Sequence, residues 1–121
     1  MNRIPKIRNL IAVVTLCSIA PITTAQDNDS EIEHLLTAVG SSNCVFVRNG
    51  TRHTAESAES HLRMKYGKTR RYIDNAEEFI TKLASESSWT GKPYTLDCPD
   101  KEEQVTKDWL FVQLNEYRAD N

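Results

Sequence analysis

The 121-residue chain contains no C-x-x-C, no G-x-S-x-G and no two histidines four residues apart. The first absence removes the common dithiol redox motif and the second the serine-nucleophile elbow. The third removes the two-histidine metal site that a single helix can build. No internal repeat is present, and nothing beyond Gln26 is apolar enough to span a bilayer. An excess of basic charge is lacking too: 15 Lys and Arg face 17 Asp and Glu, a formal net charge of −2. Such a chain exerts no general pull on polyanions, so nucleic acid is not expected as a partner. Neither a cofactor nor a metal is expected.

What is present begins with a leader. Arg3, Lys6 and Arg8 precede an apolar run at residues 10–19, and Thr23-Thr24-Ala25 supplies small residues before the polar Gln26. This is the pattern of a secretory signal peptide cleaved after Ala25. Cys17 follows Leu16, where lipid attachment needs a small residue, so cleavage after Ala25 is the better expectation. Residues 1–25 are then the leader and residues 26–121 one soluble domain in a bacterial periplasm. Loss of three of the 15 basic residues leaves 12 against 17 acidic ones, a formal charge of −5.

Two cysteines remain after such processing, Cys44 and Cys98. In an oxidising compartment an even pair in a small domain predicts a disulfide, with a stabilisation of about 4 kcal/mol for a loop of this length. A Cys/His zinc site finds no paired-ligand spacing here.

Periodicity gives the order α-β-α-α-β-α. Ile32, Leu35, Leu36 and Val39 form an apolar stripe, with Ser30 and Glu33 at capping-box spacing and Gly40 as a stop. "CVFVRNG" reads as a strand running into a tight turn, and whether "TRH" pairs back is open. Thr54 is a helix cap, and the helix it opens ends at Gly67. A further helix is expected from about Arg70 to Ser85, burying Ile73, Ala76, Phe79, Ile80 and Leu83. "YTLDC" is a second strand, and a last helix starts near Asp100, Glu103 or Thr106. Two short strands need each other and a helical cover, and a Cys44–Cys98 bridge suits an antiparallel pair. The fold class is α+β, a small and mostly helical single domain with a disulfide-stapled strand pair.

Chemistry has three candidate sources. His53 and His61 are eight residues apart, which is about 12 Å along a helix, so they share no metal unless the chain before Thr54 folds back. Each has a structural reading as a hydrogen-bonded imidazole and a functional one as a general base. Ser85, Ser87 and Ser88 supply hydroxyls, and Glu77 or Asp74 an orienting carboxylate, yet serines beside Trp89-Thr90-Gly91 are equally a helix end and a turn. Arg63, Lys65, Lys68, Arg70 and Arg71 gather around one interhelical turn, as a solvated helix end or as a patch for an anion.

The runs "CVFVRNGTRHTAESAESHLRMKYG" and "IDNAEEFITKLASESSWTGKPY" resemble the YfeK-like family of small exported proteobacterial proteins, a domain family of unknown function. The resemblance covers about half of the chain. It implies an exported compact domain and transfers no activity. The matching polar positions Asn49, His53, His61, Lys65, Glu77, Ser85, Ser88 and Tyr94 mark the candidate site. The expected function is a non-catalytic binding or accessory role in the cell envelope, with an envelope protein or an anionic cell-wall component as partner. The alternatives are a small hydrolase using His53 or His61 as base, and an inhibitor or immunity-type protein presenting Trp89.

Overall fold

The computed structural model describes residues 12–19 and 25–121. Residues 1–11 and 20–24, which hold most of the expected leader, lie outside the described residues. No helix among the described residues is long and apolar enough to cross a membrane.

Helix α1 (Ala25–Ser41) buries Ile32, Leu35, Leu36 and Val39, the stripe expected from spacing. It begins before Ser30, so the expected capping box does not form. Glu33 instead binds Arg63 of the second helix in bidentate fashion, at 2.7 and 2.9 Å. Two neighbouring acids of α1 are also bound by arginines of other elements, Asp29 through one bond from Arg70 and Glu31 through two from Arg118. Near its end Gly40 admits a close neighbour. A Cβ there would stand 1.7 Å from Glu59 Oε1.

Strand β1 (Val45–Arg48) and strand β2 (Thr51–His53) form a hairpin, with Arg48 opposite Thr51. The two linking residues, Asn49 (φ 51°) and Gly50 (φ 77°), both lie in the left-handed region. That is the turn whose twist matches paired strands, and Asn-Gly is the sequence that adopts it most cheaply. "TRH" therefore does pair back. Strand β3 (Thr95–Asp97) lies antiparallel on the other side of β1, and β4 (Gln104–Val105) adds a fourth strand, in the order β2-β1-β3-β4. Val45 stands opposite Asp97, so Cys44 and Cys98 are the next pair along. They are joined in a disulfide with Cα atoms 4.2 Å apart.

Helix α2 (Ala55–Thr69) is capped by Thr54, whose hydroxyl accepts from Ser57 N at 3.1 Å, and it passes Gly67 by two residues. The helix expected from Arg70 is divided. Arg70–Tyr72 forms one 3-10 turn, and the chain restarts at Asn75, whose side chain accepts from Glu78 N at 2.8 Å. Helix α3 is α-helical over Ala76–Glu78 and widens to a π-helix over Phe79–Ala84. Helix α4 (Thr106–Ala119) follows β4 and buries Leu110 and Leu114. Phe46 and Leu96 turn one face of the sheet inward, so α2, α3 and α4 cover one side while the alternate residues of the strands remain part-exposed.

Candidate functional site

The pleat of the sheet decides what faces the helices. Side chains at paired positions share a face, and each strand alternates in and out. His53, Phe46, Leu96 and Gln104 are successive partners across the four strands, and Phe46 and Leu96 are buried. Two residues further along β1, Arg48 points to the same side. Extending the register puts Tyr94 opposite Arg48 and Thr106 next to Tyr94, and the Thr106 N–H donates to Tyr94 O at 2.9 Å. The alternation that buries Phe46 thus delivers an arginine to the inner side two residues on.

Helix α2 supplies the opposite wall. Ser57, His61 and Lys65 recur every four residues and lie on one stripe, with Ala58 and Leu62 beside them. Between sheet and helix lies a cavity of about 150 Å³, lined by Phe46, Arg48, His53, His61, Tyr94 and Thr106 together with apolar groups that include Leu62 and Ala84. A second depression adjoins it and shares Arg48, His61 and Tyr94. Its remaining wall is Asn49, Lys65 and the loop residues Ser87, Ser88 and Trp89.

Hydrogen bonding fixes the cations. Arg48 Nη1 donates to His61 Nε2. Arginine carries only donors, so Nε2 accepts and the imidazole is the neutral Nδ1–H tautomer. Burial, reinforced by the charges of Arg48, Lys65 and His53, holds the His61 pKa below the ordinary histidine range. Lys65 Nζ donates to Leu83 O at 2.8 Å, capping a carbonyl at the end of α3, and stands 5.6 Å above the Tyr94 ring. Burial first, and Arg48 second, lower its pKa as well. Burial raises that of Tyr94, partly offset by Arg48. No Asp or Glu lies within 4 Å of the Arg48 or Lys65 cationic nitrogens among the described residues, whereas Arg52, Arg63, Arg70 and Arg118 each have a carboxylate partner.

Two buried polar atoms in the cavity wall, His53 Nε2 and Thr106 Oγ1, have no hydrogen-bond partner among the described residues, and Thr106 is only 2% exposed. The loop at the rim is well built. Asn49 holds it from the hairpin turn, donating to Ser87 Oγ at 3.1 Å and accepting from Thr90 Oγ1 at 2.6 Å. Ser87 N and Gly91 N close the loop on Lys92 O and Ser87 O. Trp89 projects from it, 95% exposed.

Of the residues expected at the site, Asn49, His61, Lys65, Ser88 and Tyr94 meet at the outer depression, and His53 joins His61 and Tyr94 in the cavity. Ser85 uses its hydroxyl on Ile80 O within its own helix. Glu77 is turned away and binds Arg118 Nη1 at 2.6 Å, which holds its pKa below the ordinary carboxylate range. The basic cluster is spread over several contacts. Arg63 serves Glu33 and Glu59, Arg70 serves Asp29, Arg71 lies on the Tyr72 ring, Lys68 is exposed, and Lys65 alone reaches the cleft. Sequence reasoning passed over Arg48 and Thr106. Arg48 had a signal, because alternation from Phe46 places it inward; Thr106 had none, because a two-residue strand leaves no pattern.

Comparison with known proteins adds a relative and a family. A 49-residue segment is 65% identical to a Salmonella typhimurium (strain LT2) protein described as "Uncharacterized protein YfeK", over 40% of this chain and 41% of that protein. The match therefore spans about two fifths of the relative's length. No solved structure matches the chain. The model of a family of unknown function, DUF5329, matches residues 26–118, and the chain, with its cationic cleft between sheet and second helix, belongs to that family.

Proposed function

We propose that the protein is an exported, non-catalytic binding protein of the bacterial cell envelope whose cleft takes up a small anion. The observation that carries this reading is the convergence of Arg48, His61 and Lys65 with no carboxylate within 4 Å of the Arg48 and Lys65 nitrogens among the described residues. Half-buried cations left unneutralised by their own fold are disfavoured unless an anion completes them. The disulfide between Cys44 and Cys98 supports an oxidising compartment. The non-catalytic part rests on occupancy. The His61 lone pair at Nε2 is taken by Arg48, and Ser87 Oγ is engaged by Asn49. The His61–Ser87 pair therefore lacks the free base–nucleophile contact that acyl transfer needs.

The test is a titration of the purified protein with acetate and with inorganic phosphate, followed by the His61 ring signals in NMR. Saturable shifts that disappear in Arg48→Gln and Lys65→Gln are expected. Ring signals that do not move, or that move equally in both variants, remove the anion site.

Trp89 favours a second reading, a protein partner. A tryptophan held 95% exposed on a hydrogen-bonded loop is arranged as an anchor for another surface. Crosslinking through a photoreactive group at position 89 in the periplasm, set against the same group at Lys101, tests it; an adduct specific to position 89 is expected, and equal labelling at both sites excludes it.

A further inference from the structure

We propose that the ligand of this cleft is a single-ring carboxylate bearing a hydroxyl remote from its carboxyl group, such as a hydroxybenzoate. The inference rests on the anion-binding reading above and deepens it.

Size sets the first limit. An apolar cavity of about 150 Å³ is the size that accommodates one benzene ring, and the space here is about 150 Å³. The walls set the second. Phe46, Ala58, Leu62 and Ala84 present carbon to the cavity, which suits a hydrocarbon ring and disfavours a sugar acid whose hydroxyls would go unpaired. Arg48 and His61 line both the cavity and its outer depression, and Lys65 joins them there, so the carboxylate sits at the shared mouth.

The inner polar atoms set the third limit. Arg48, Tyr94 and Thr106 follow one another across the sheet, which at about 4.8 Å per strand puts the Thr106 backbone roughly 10 Å from that of Arg48. A ring lying against Tyr94, which stands between them on the same face, would reach the Thr106 hydroxyl with a group on its far side. Thr106 Oγ1 is buried and unpartnered, and His53 Nε2 shares that condition in the same wall. A ligand hydroxyl gives and accepts a hydrogen bond, so it satisfies a group that the fold leaves unsatisfied.

The experiment is isothermal titration calorimetry of the purified protein with 3- and 4-hydroxybenzoate, benzoate, phenol and acetate, repeated on Thr106→Val and Arg48→Gln. The better hydroxybenzoate should bind about tenfold more tightly than benzoate, since a lost buried hydrogen bond is of that order. Thr106→Val should erase the difference and leave benzoate unchanged, while Arg48→Gln weakens every carboxylate and leaves phenol alone. Equal affinities for hydroxybenzoate and benzoate, or an advantage that persists in Thr106→Val, overturn the proposal. Acetate bound in an Arg48-dependent way with no gain from the ring overturns the ligand class while the anion site stands. Aromatic acids indifferent to Arg48→Gln overturn both.

Discussion

Thr106→Val should make the ligand-free protein more stable, against the usual direction for a buried substitution. Thr106 is 2% exposed and its Oγ1 has no partner, although its N–H is satisfied by Tyr94 O. Valine keeps the β-branched shape and deletes only the hydroxyl, and the two residues have similar helix propensity at the first position of α4. A buried hydroxyl without a hydrogen bond costs about 1–3 kcal/mol. The cavity beside it has room for water, which recovers part of that cost, so the gain belongs at the low end, about 1 kcal/mol. For a domain of this size that raises the melting temperature by about 4–8 °C. Circular dichroism melts and calorimetry at pH 7, in a buffer free of carboxylates, are the assay. A loss of more than about 0.5 kcal/mol refutes the reasoning, because it means that the hydroxyl is already bonded.

Three further outcomes are expected. Phe79→Ala, at a fully buried position in the π-helical stretch, should cost about 3–5 kcal/mol in urea unfolding. Replacing Cys44 and Cys98 together by serine should cost about 4 kcal/mol, from the 54-residue separation of the bridged positions, and an unchanged denaturation midpoint contradicts this. Arg63 and Arg118 hold the carboxyls of Glu33 and Glu77 below the ordinary range, so these pairs stabilise the fold above the unfolded glutamate pKa. That contribution is lost as pH falls through the depressed values, and Arg118→Gln should flatten the acid limb of a stability–pH curve while leaving its neutral-to-alkaline shape in place.

The central pair of strands, the bridge between them and the apolar stripe of α1 were legible because burial writes itself as periodicity. Val45–Arg48 carried its signal in β-branched and aromatic residues, and Asn49-Gly50 announced the hairpin. The edge strands were not legible. Thr51–His53 and Gln104–Val105 contain no apolar run, and they are strands because β1 and β3 offer them backbone partners. Local signals also lost to tertiary ones. Ser30 and Glu33 have capping spacing, but Arg63 on the neighbouring helix α2 claims Glu33, and the helix extends past them. The break at 73–75 went unread because the apolar period carries straight across it. At the site, motif matching found the histidines, Lys65 and Tyr94, yet Arg48 becomes visible only once β1 is given a face.

The Cys44–Cys98 bridge and the Arg48–Tyr94 pair occupy opposite ends of the same two strands. Four residues separate Cys44 from Arg48, about 13 Å of extended chain. Mechanically the two strands are pinned at both ends, covalently at the bridge and by hydrogen bonds at the other, where Asn49 holds the rim loop through Ser87 and Thr90. The covalent link therefore fixes one end of the sheet, and the position of Arg48 and Tyr94 at the other end rests on non-covalent contacts alone, the hydrogen bonds of Asn49 among them.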